Sequence, residues 1–332
     1  MKRGIIIKND LFAEIYGDKE IAEINRLIDV KCEPLTTAQV EQDPDVLRDC
    51  EIVMTEWGSV RFTEKLLKHA PRLEAVFYAG GSIKGLVSEE FWDRGIAISS
   101  AYGANAISVA QYTVSQIISC TKRISQFSDQ TKKIKDFPSR ETFFMPGTYE
   151  SVLGIVSLGM IGWQVCKYIQ AITEMRIIAY DPFVSKDQAR AMNIELCSLD
   201  DVFSQSDIVS LHTPVLEETK GMITGRHFRL MKNDSSFINT ARGIIVKEEE
   251  MIEVLTQRPD ITAVLDVTQP EPPDANSPLY ELKNVILTPH IAGCMGPECK
   301  RMSKYMIDEL ERHINGKKLK WQITRERSLI LA

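Results

Sequence analysis

A strand–turn–helix–strand pattern at residues 152–181 constrains the fold of this chain more than any other stretch. The apolar run "VLGIVSL" predicts a buried strand, and "MIGWQVCKYIQAI" has apolar residues at helical spacing. "RIIAYD" predicts the next strand, and its last residue, Asp181, follows Gly162 by 19 residues. A glycine turn between a strand and a helix, with an acid ending the following strand, is typical of the Rossmann dinucleotide-binding motif.

The turn itself, "SLGMIG", differs from the usual G-x-G-x-x-G at its first position, Ser157. Gly159 stands where backbone must approach the pyrophosphate, and Gly162 stands where the helix packs closely on the strand. Met160 and Ile161 lie between them, at a helix N-terminus whose free N–H groups favour phosphate binding. We therefore predict that residues 157 and 159–162 bind the cofactor.

Ser157 is expected to weaken this site only modestly. A side chain is accommodated if the local φ stays negative, and the serine hydroxyl can bond neighbouring backbone, as it commonly does in turns. If the position requires a glycine-like φ, the strain is on the order of 1–3 kcal/mol.

Asp181 predicts which dinucleotide binds. Its carboxylate can accept hydrogen bonds from both adenosine ribose hydroxyls and would repel a 2′-phosphate, so NAD is favoured over NADP. The alternative is an ordinary turn aspartate ahead of Pro182.

The pattern along the whole chain alternates short β-branched runs with amphipathic helical stretches, which favours parallel sheets covered by helices. The length of 332 residues favours about two domains. A long helical pattern begins at Asn105, and after His290 the chain returns to a helical stretch that could pack on the first domain. We predict an α/β fold with two doubly wound parallel-sheet domains. A Rossmann NAD-binding domain, residues 105–292, is inserted into a flavodoxin-like substrate domain, residues 1–104 and 293–332.

Composition excludes several classes of function. The net charge is −6 and no long Lys/Arg run occurs, so no nucleic-acid partner is expected. No apolar stretch reaches the ~20 residues of a membrane helix, and "MKRGIIIKND" predicts a first strand rather than a targeting segment. Seven scattered cysteines suit a reducing cytoplasm. Cys294 and Cys299 have no matching second pair, so no metal site is predicted.

Three motifs that each end a predicted strand carry candidate catalytic residues. They are "NTARG", "LDVTQPEP" and "TPHIAG", which contain Arg242, Glu271 and His290. An arginine can bind a carboxylate through two parallel hydrogen bonds, a histidine can exchange a proton with a carbonyl oxygen, and a glutamate can favour and orient the imidazolium. These groups fit hydride transfer to an α-keto acid. Taken singly, each residue has a common alternative as a surface charge, a loop acid or a structural histidine.

Together these motifs resemble the D-isomer-specific 2-hydroxyacid dehydrogenase family, and the resemblance covers most of the chain. Further shared stretches are "AGGSIKG", "YGANAISVAQ", "YDP" and "HTPVLEETKGMI". The resemblance implies that Arg242, Glu271 and His290 form the catalytic triad, that a 2-hydroxy or 2-keto acid is the substrate, and that the protein is a homodimer with the cofactor domain at the interface.

The resemblance also implies roles for further residues. Asp266 would face the nicotinamide carboxamide, and the cofactor cleft would be lined by Thr213 and the segment Thr240, Ala241 and Arg242. Backbone N–H groups of the substrate loop, Gly80, Gly81, Ser82 and Ile83, would hold the substrate carboxylate, with Trp57 in a nearby loop.

The sequence also departs from the family pattern. Met160 replaces an arginine or polar residue near the phosphates, so a side-chain donor is missing there. Thr268 and Gln269 replace a frequent phenylalanine and acid, and Cys294 replaces a frequent serine or threonine.

Two functions other than that of a hydroxyacid dehydrogenase are to be compared with these motifs. Formate oxidation fits poorly because those relatives usually have glutamine at the position of Glu271. A nucleotide-sensing, corepressor-like binding protein would retain the triad. The particular substrate is not readable: Gly58 and Ser82 suggest room, and Trp57 suggests an apolar wall.

Overall fold

The protein, represented by a computed structural model, is described over residues 1–330. It divides into two compact units. The first unit is Met1–Ala106 together with the chain from Cys294 onward, and the second unit is Ile107–Gly293. The predicted first domain extends to residue 332, and its last two residues lie outside the described part.

The first unit contains a parallel sheet in the order β2-β1-β4-β5-β6, with β3 also paired to β1. Apart from the short β3, this is the 2-1-3-4-5 order of flavodoxin-like folds. The strands are β1 (Arg3–Lys8), β2 (Asp29–Val30), β3 (Leu35–Thr36), β4 (Ile52–Glu56), β5 (Ala75–Ala79) and β6 (Ala97–Ser100).

Helices surround this sheet, and a long helix starts near its end. The helices are α1 (Phe12–Ile15), α2 (Asp18–Leu27), α3 (Thr37–Gln42), α4 (Glu64–Leu67), α5 (Glu89–Asp93) and α6 (Tyr102–Thr121), with α13 (Cys299–Ile314) and α14 (Arg325–Ser328) after the chain returns. The α6 helix begins three residues before the predicted start at Asn105 and carries the chain from one unit into the next.

The second unit contains a seven-stranded parallel sheet in the order β13-β12-β11-β10-β7-β8-β9. Counted from β7, this is the Rossmann order with one added strand, so the predicted fold class is confirmed for both sheets. The strands are β7 (Tyr149–Val156), β8 (Glu174–Tyr180), β9 (Ile194–Leu196), β10 (Ile208–Leu211), β11 (Ser236–Asn239), β12 (Thr262–Leu265) and β13 (Val285–Leu287). The helices are α7 (Ile124–Ile134), α8 (Met160–Ile172), α9 (Lys186–Arg190), α10 (Leu199–Gln205), α11 (Gly225–Leu230) and α12 (Glu248–Gln257).

The apolar strands explain why helices cover both faces of each sheet. In β1, Ile5 and Ile7 pack into one core cluster and Ile6 packs into another on the opposite face. All three are at most 1% exposed. A strand that is apolar at every position must be buried on both faces, as in parallel sheets generally. Within residues 1–330 no helix has both the length and the apolar character needed to span a membrane.

Because the strands are parallel, their carboxyl ends meet along one edge of each sheet. In the second unit this edge carries the residues that directly follow β7, β11, β12 and β13, namely Ser157, Thr240, Asp266 and Thr288. The motifs singled out in the sequence therefore share one edge of one sheet.

Candidate functional site

The glycine turn joins β7 to α8 and presents free backbone donors. The N–H groups of Met160, Ile161 and Gly162 donate to no acceptor in the described part of the chain, as expected of the first turn of a helix. Apart from the adjacent residues of the chain, a Cβ added at Gly159 would meet no atom of the described residues within 4 Å, so the Gly159 backbone is open to approach. A Cβ at Gly162 would lie 2.3 Å from the Ser157 carbonyl oxygen, because helix and strand are in close contact there. The turn thus fits a pyrophosphate group.

Ser157 has a left-handed backbone, with φ +76°. Of the two cases that the sequence left open, the glycine-like φ is the one observed, so the strain of about 1–3 kcal/mol applies. Its hydroxyl bonds the hydroxyl of Thr213, with the two oxygens 2.9 Å apart, rather than neighbouring backbone. Both residues are buried. The Thr213 bond helps to hold the serine in this conformation.

The Asp181 carboxylate is fixed by three backbone N–H groups. Oδ2 accepts from Leu158 in the glycine turn at 2.8 Å, and Oδ1 accepts from Phe183 and Val184 at 2.8 and 3.1 Å. Since a carboxylate offers about four acceptor positions, at least one remains for a ligand hydroxyl. The residue therefore belongs structurally to the glycine turn and is also a turn aspartate.

Glu271 and His290 form a direct pair. His290 Nδ1 lies 2.5 Å from Glu271 Oε1, and both side chains are nearly half exposed. This bond orients the imidazole ring and leaves Nε2 for another partner. His290 has φ +54°, a conformation uncommon for a residue with a side chain.

Asp266 braces the turn that carries His290. Its Oδ1 accepts from the Thr288 hydroxyl at 2.6 Å and from the Ile291 N–H at 2.9 Å, and its Oδ2 accepts from the Ala292 N–H at 2.9 Å. The Asp266 carbonyl also accepts from the His290 N–H at 3.0 Å. Because Asp266 is 2% exposed, these bonds are protected from water and fix the histidine's backbone.

Arg242 lies on the loop after β11, beside the loop that carries Glu271. A Cβ at Gly243 would lie 2.1 Å from the Thr268 carbonyl carbon and oxygen, so glycine permits the two loops to touch. Burial lowers the pKa of the Arg242 guanidinium from its ordinary value, and the Glu271 carboxylate opposes that shift. One guanidinium nitrogen, Nη1, donates to the Ala241 carbonyl at 2.6 Å. The three residues of the predicted triad thus interact: His290 contacts Glu271, and Glu271 interacts electrostatically with Arg242.

The substrate loop belongs to the first unit and follows β5. The Ser100 hydroxyl lies 2.8 and 2.5 Å from the carbonyl oxygens of Gly80 and Gly81. The N–H groups of Gly81, Ser82 and Ile83 donate to no acceptor in the described region. Such a row of free N–H groups can bind an anion.

Sequence inspection missed several supporting side chains. Ser100 orients the substrate loop, and Asn239 braces the Arg242 loop by accepting from the Ala241 N–H at 3.0 Å and donating to the Arg242 carbonyl at 3.2 Å. Tyr112 on α6 bonds Thr288 at 2.8 Å. Asn239 and Thr288 belong to motifs already identified, so their position at strand ends could have predicted these roles. Tyr112 is far from both motifs in sequence, and no pattern predicts its contact with Thr288.

No group of three or more potential metal ligands occurs among residues 1–330. The thiols of Cys294 and Cys299 are buried, and burial raises the pKa of Cys299 to about 11. A thiol that stays protonated is a poor metal ligand.

The fold and these strand-end motifs define an α/β protein with a dinucleotide-binding unit. The family model for the NAD-binding domain of D-isomer-specific 2-hydroxyacid dehydrogenases matches residues 114–292. The chain belongs to this family, and NAD is confirmed as the cofactor of that domain.

Named relatives agree with this placement. D-3-phosphoglycerate dehydrogenase of Archaeoglobus fulgidus is 33% identical over 69% of this chain and 43% of its own length. (S)-sulfolactate dehydrogenase of Chromohalobacter salexigens is 33% identical over 76% of this chain and 81% of its own. The crystal structure of apo D-mandelate dehydrogenase from Rhodotorula graminis shares the fold, with a TM-score of 0.81, 24% identity and 98% of each chain covered. The chain spans about half the length of the phosphoglycerate dehydrogenases it matches.

Proposed function

We propose that the protein is an NAD-dependent oxidoreductase that interconverts a D-2-hydroxy acid and its 2-keto acid. The observation that carries the proposal is the 2.5 Å contact between His290 and Glu271, in the unit and at the sheet edge that also hold the glycine turn. In this proposal residues 105–292 bind NAD, and residues 1–104 with 293–332 bind the substrate.

The roles of the side chains follow from their chemistry. NADH, when bound, supplies the hydride that reduces the keto carbon. His290 Nε2 donates a proton to the carbonyl oxygen and takes it back in the reverse direction. Glu271 stabilises the imidazolium through Nδ1, and Arg242 binds the substrate carboxylate and carbonyl. The N–H groups of the substrate loop bind the carboxylate as well.

The cofactor residues act by position. Residues 157 and 159–162 bind the pyrophosphate through backbone, and Asp181 accepts from the ribose. Thr213, Thr240 and Ala241 line the cleft. Asp266 braces the catalytic turn and keeps about one acceptor position for the carboxamide.

Replacing Arg242 with lysine tests how the substrate carboxylate is bound. Arg242→Lys keeps the charge but loses the paired geometry of the guanidinium. We expect KM for the 2-keto acid to rise and kcat to fall together, measured from NADH oxidation at 340 nm. Kinetic constants equal to those of the parent would mean that the loop amides alone hold the carboxylate.

Asp181 is expected to make the protein prefer NADH. Asp181→Ala should weaken NADH binding and relieve the repulsion of the 2′-phosphate of NADPH. Because the same carboxylate braces the glycine turn, Asp181→Asn serves as the milder comparison that keeps an acceptor oxygen. Equal kcat/KM for NADH and NADPH in the unmodified protein would contradict this role.

The competing function is a nucleotide-sensing binding protein on the same fold with little turnover. It is favoured only by the retention of the triad in such proteins. A panel of 2-keto acids with NADH separates the two functions. Turnover of at least one acid supports the dehydrogenase, whereas NADH binding without turnover of any acid favours the sensor.

We also propose a homodimer in the cytoplasm. In the second unit, α7 and the segment after it expose apolar side chains close together in sequence. They are Ile124, Ile134, Phe137, Phe144, Met145 and Tyr149. Clustered apolar surface favours an interface with a second copy. Sedimentation of the protein as a monomer only would contradict the proposed dimer.

The free thiols of the described cysteines suit a reducing compartment such as the cytoplasm.

A further inference from the structure

The first sheet reverses its strand order between β1 and β4. From β1 the chain adds β2 on one side, and then β4, β5 and β6 on the other. In open α/β sheets, ligands bind outside the carboxyl ends of strands at such a switch point. Asn9 directly follows β1 and Glu56 ends β4, so these two residues flank the switch point of the first sheet.

Both side chains have a buried polar atom without a partner. Glu56 is 0% exposed, and its Oε1 accepts from the Asn9 backbone N–H at 2.6 Å. Glu56 Oε2 and Asn9 Nδ2 are each buried without a hydrogen-bond partner in the described part of the chain. Native proteins rarely leave buried polar atoms unsatisfied, and each instance calls for an explanation. One atom is an acceptor and the other is a donor.

The pair adjoins the loops already assigned to the substrate. The strand register places Glu56 beside Ala79, the last residue of β5, and the next residue in the chain is Gly80 of the substrate loop. Trp57 follows Glu56 in the chain and packs on both core clusters of the first unit. The Gly58 backbone, at φ +79°, folds against the Asn9 side chain: a Cβ there would lie 3.3 Å from its Cγ.

We propose that Glu56 and Asn9 form a specificity-determining site that takes an uncharged hydrogen-bonding substituent of the substrate, above all a hydroxyl, and rejects an anionic one. A hydroxyl donates to Glu56 Oε2 and accepts from Asn9 Nδ2, which satisfies both atoms. A sulfonate, a phosphate or a second carboxylate offers acceptors only and adds negative charge beside a buried acid. The inference rests on the proposed function, since it names the substrate class of the same site.

The test compares 3-hydroxypyruvate with 3-sulfopyruvate, whose sulfonate keeps a constant charge. The unmodified protein should favour 3-hydroxypyruvate by at least about 100-fold in kcat/KM, because a buried polar site strongly rejects an unmatched group. Glu56→Gln keeps the size and removes the charge, and should reduce this ratio to below about tenfold. Glu64→Gln, at an exposed acid on α4, is the matched control and should leave the ratio unchanged. An unchanged ratio in Glu56→Gln overturns the proposal.

The pH dependence of the same ratio gives a second readout. Burial raises the pKa of Glu56 to about 7, so the carboxyl gains its charge as pH rises through that value. The titratable groups that face Glu56 are Asp10, Tyr16, Tyr78 and Cys299. Burial raises the pKa of Tyr16, raises that of Tyr78 to about 12 and raises that of Cys299 to about 11. These three stay uncharged near neutrality. Discrimination against 3-sulfopyruvate should therefore grow from about pH 6 to about pH 8 in the parent and stay flat in Glu56→Gln. A profile that rises by the same factor in the parent and in Glu56→Gln overturns the proposal.

Failure of the proposed function would look different. In that case neither keto acid would be reduced, and calorimetric titration of the NADH-loaded protein with the same two acids decides the inference. Tighter binding of 3-hydroxypyruvate by about tenfold or more, lost in Glu56→Gln, would support the site without turnover. Equal binding, or no binding, of the two acids would overturn it.

Discussion

Replacing His290 with asparagine is expected to lower kcat by about 10²–10⁴-fold, the usual contribution of general acid–base catalysis. Asparagine cannot donate and recover the proton at the keto oxygen, whereas the nucleotide turn is untouched. The NADH dissociation constant, measured by fluorescence titration, should therefore change little. His290 has φ +54°, and asparagine is among the residues that tolerate this conformation best.

A matched control is available in the first unit. His69 Nδ1 lies 2.9 Å from Asp45 Oδ1, and both side chains are exposed, so the chain has a second histidine–acid pair. His69→Asn removes that pair and should leave kcat unchanged. If His290→Asn turns over as fast as His69→Asn, His290 does not transfer the proton.

Gly159→Val is expected to abolish NADH binding. The added side chain would occupy the space from which the pyrophosphate must approach the backbone. Among residues 1–330, no atom other than those of Gly159 and its two chain neighbours lies within 4 Å of the new Cβ position, and φ at Gly159 is −72°, so the fold should tolerate valine. An unchanged melting temperature would establish that the loss is local. Retained binding in a folded Gly159→Val protein would exclude this turn as the pyrophosphate site.

Ser157→Gly is the companion measurement at the same turn. The strain at Ser157 limits the change in the NADH dissociation constant to about one to two powers of ten. If the parent binds no NADH and Ser157→Gly restores binding, the serine has disabled the site and the dehydrogenase proposal fails.

Sequence periodicity predicts a helix or strand correctly where many residues contribute to that one element. The α8 helix spans Met160–Ile172, the stretch that the apolar spacing predicts, and both sheets have the predicted class. The two-residue strands β2 and β3 carry no period and were missed. They form because the β1 backbone is available for pairing on that side. This depends on the arrangement of the sheet and not on the local sequence.

The sequence predicts which strand-end motifs make up the candidate site. It does not predict most of the hydrogen bonds between them. The position of Asp266 after β12 could be read, whereas its three hydrogen bonds to the His290 turn depend on the pairing of β12 with β13. Glu56 gave no signal, because a glutamate ending a strand is ordinarily exposed. Its neighbours include Tyr16, Tyr78 and Cys299, which are distant from it in sequence, so no local pattern predicts its burial.

The hydroxyl contact between Ser157 and Thr213 determines how this turn tolerates substitution. Glycine at 157 would relieve backbone strain of about 1–3 kcal/mol, but would leave the buried Thr213 hydroxyl unsatisfied at a cost of about 1–3 kcal/mol. The two free energies nearly cancel, so Ser157→Gly alone should change the stability of the protein little. Positions 157 and 213 are therefore coupled: Ser157→Gly should lower the melting temperature less in a Thr213→Val background, where no hydroxyl loses its partner, than in the parent. The serine is then half of a hydrogen-bonded pair rather than a defect in a glycine motif.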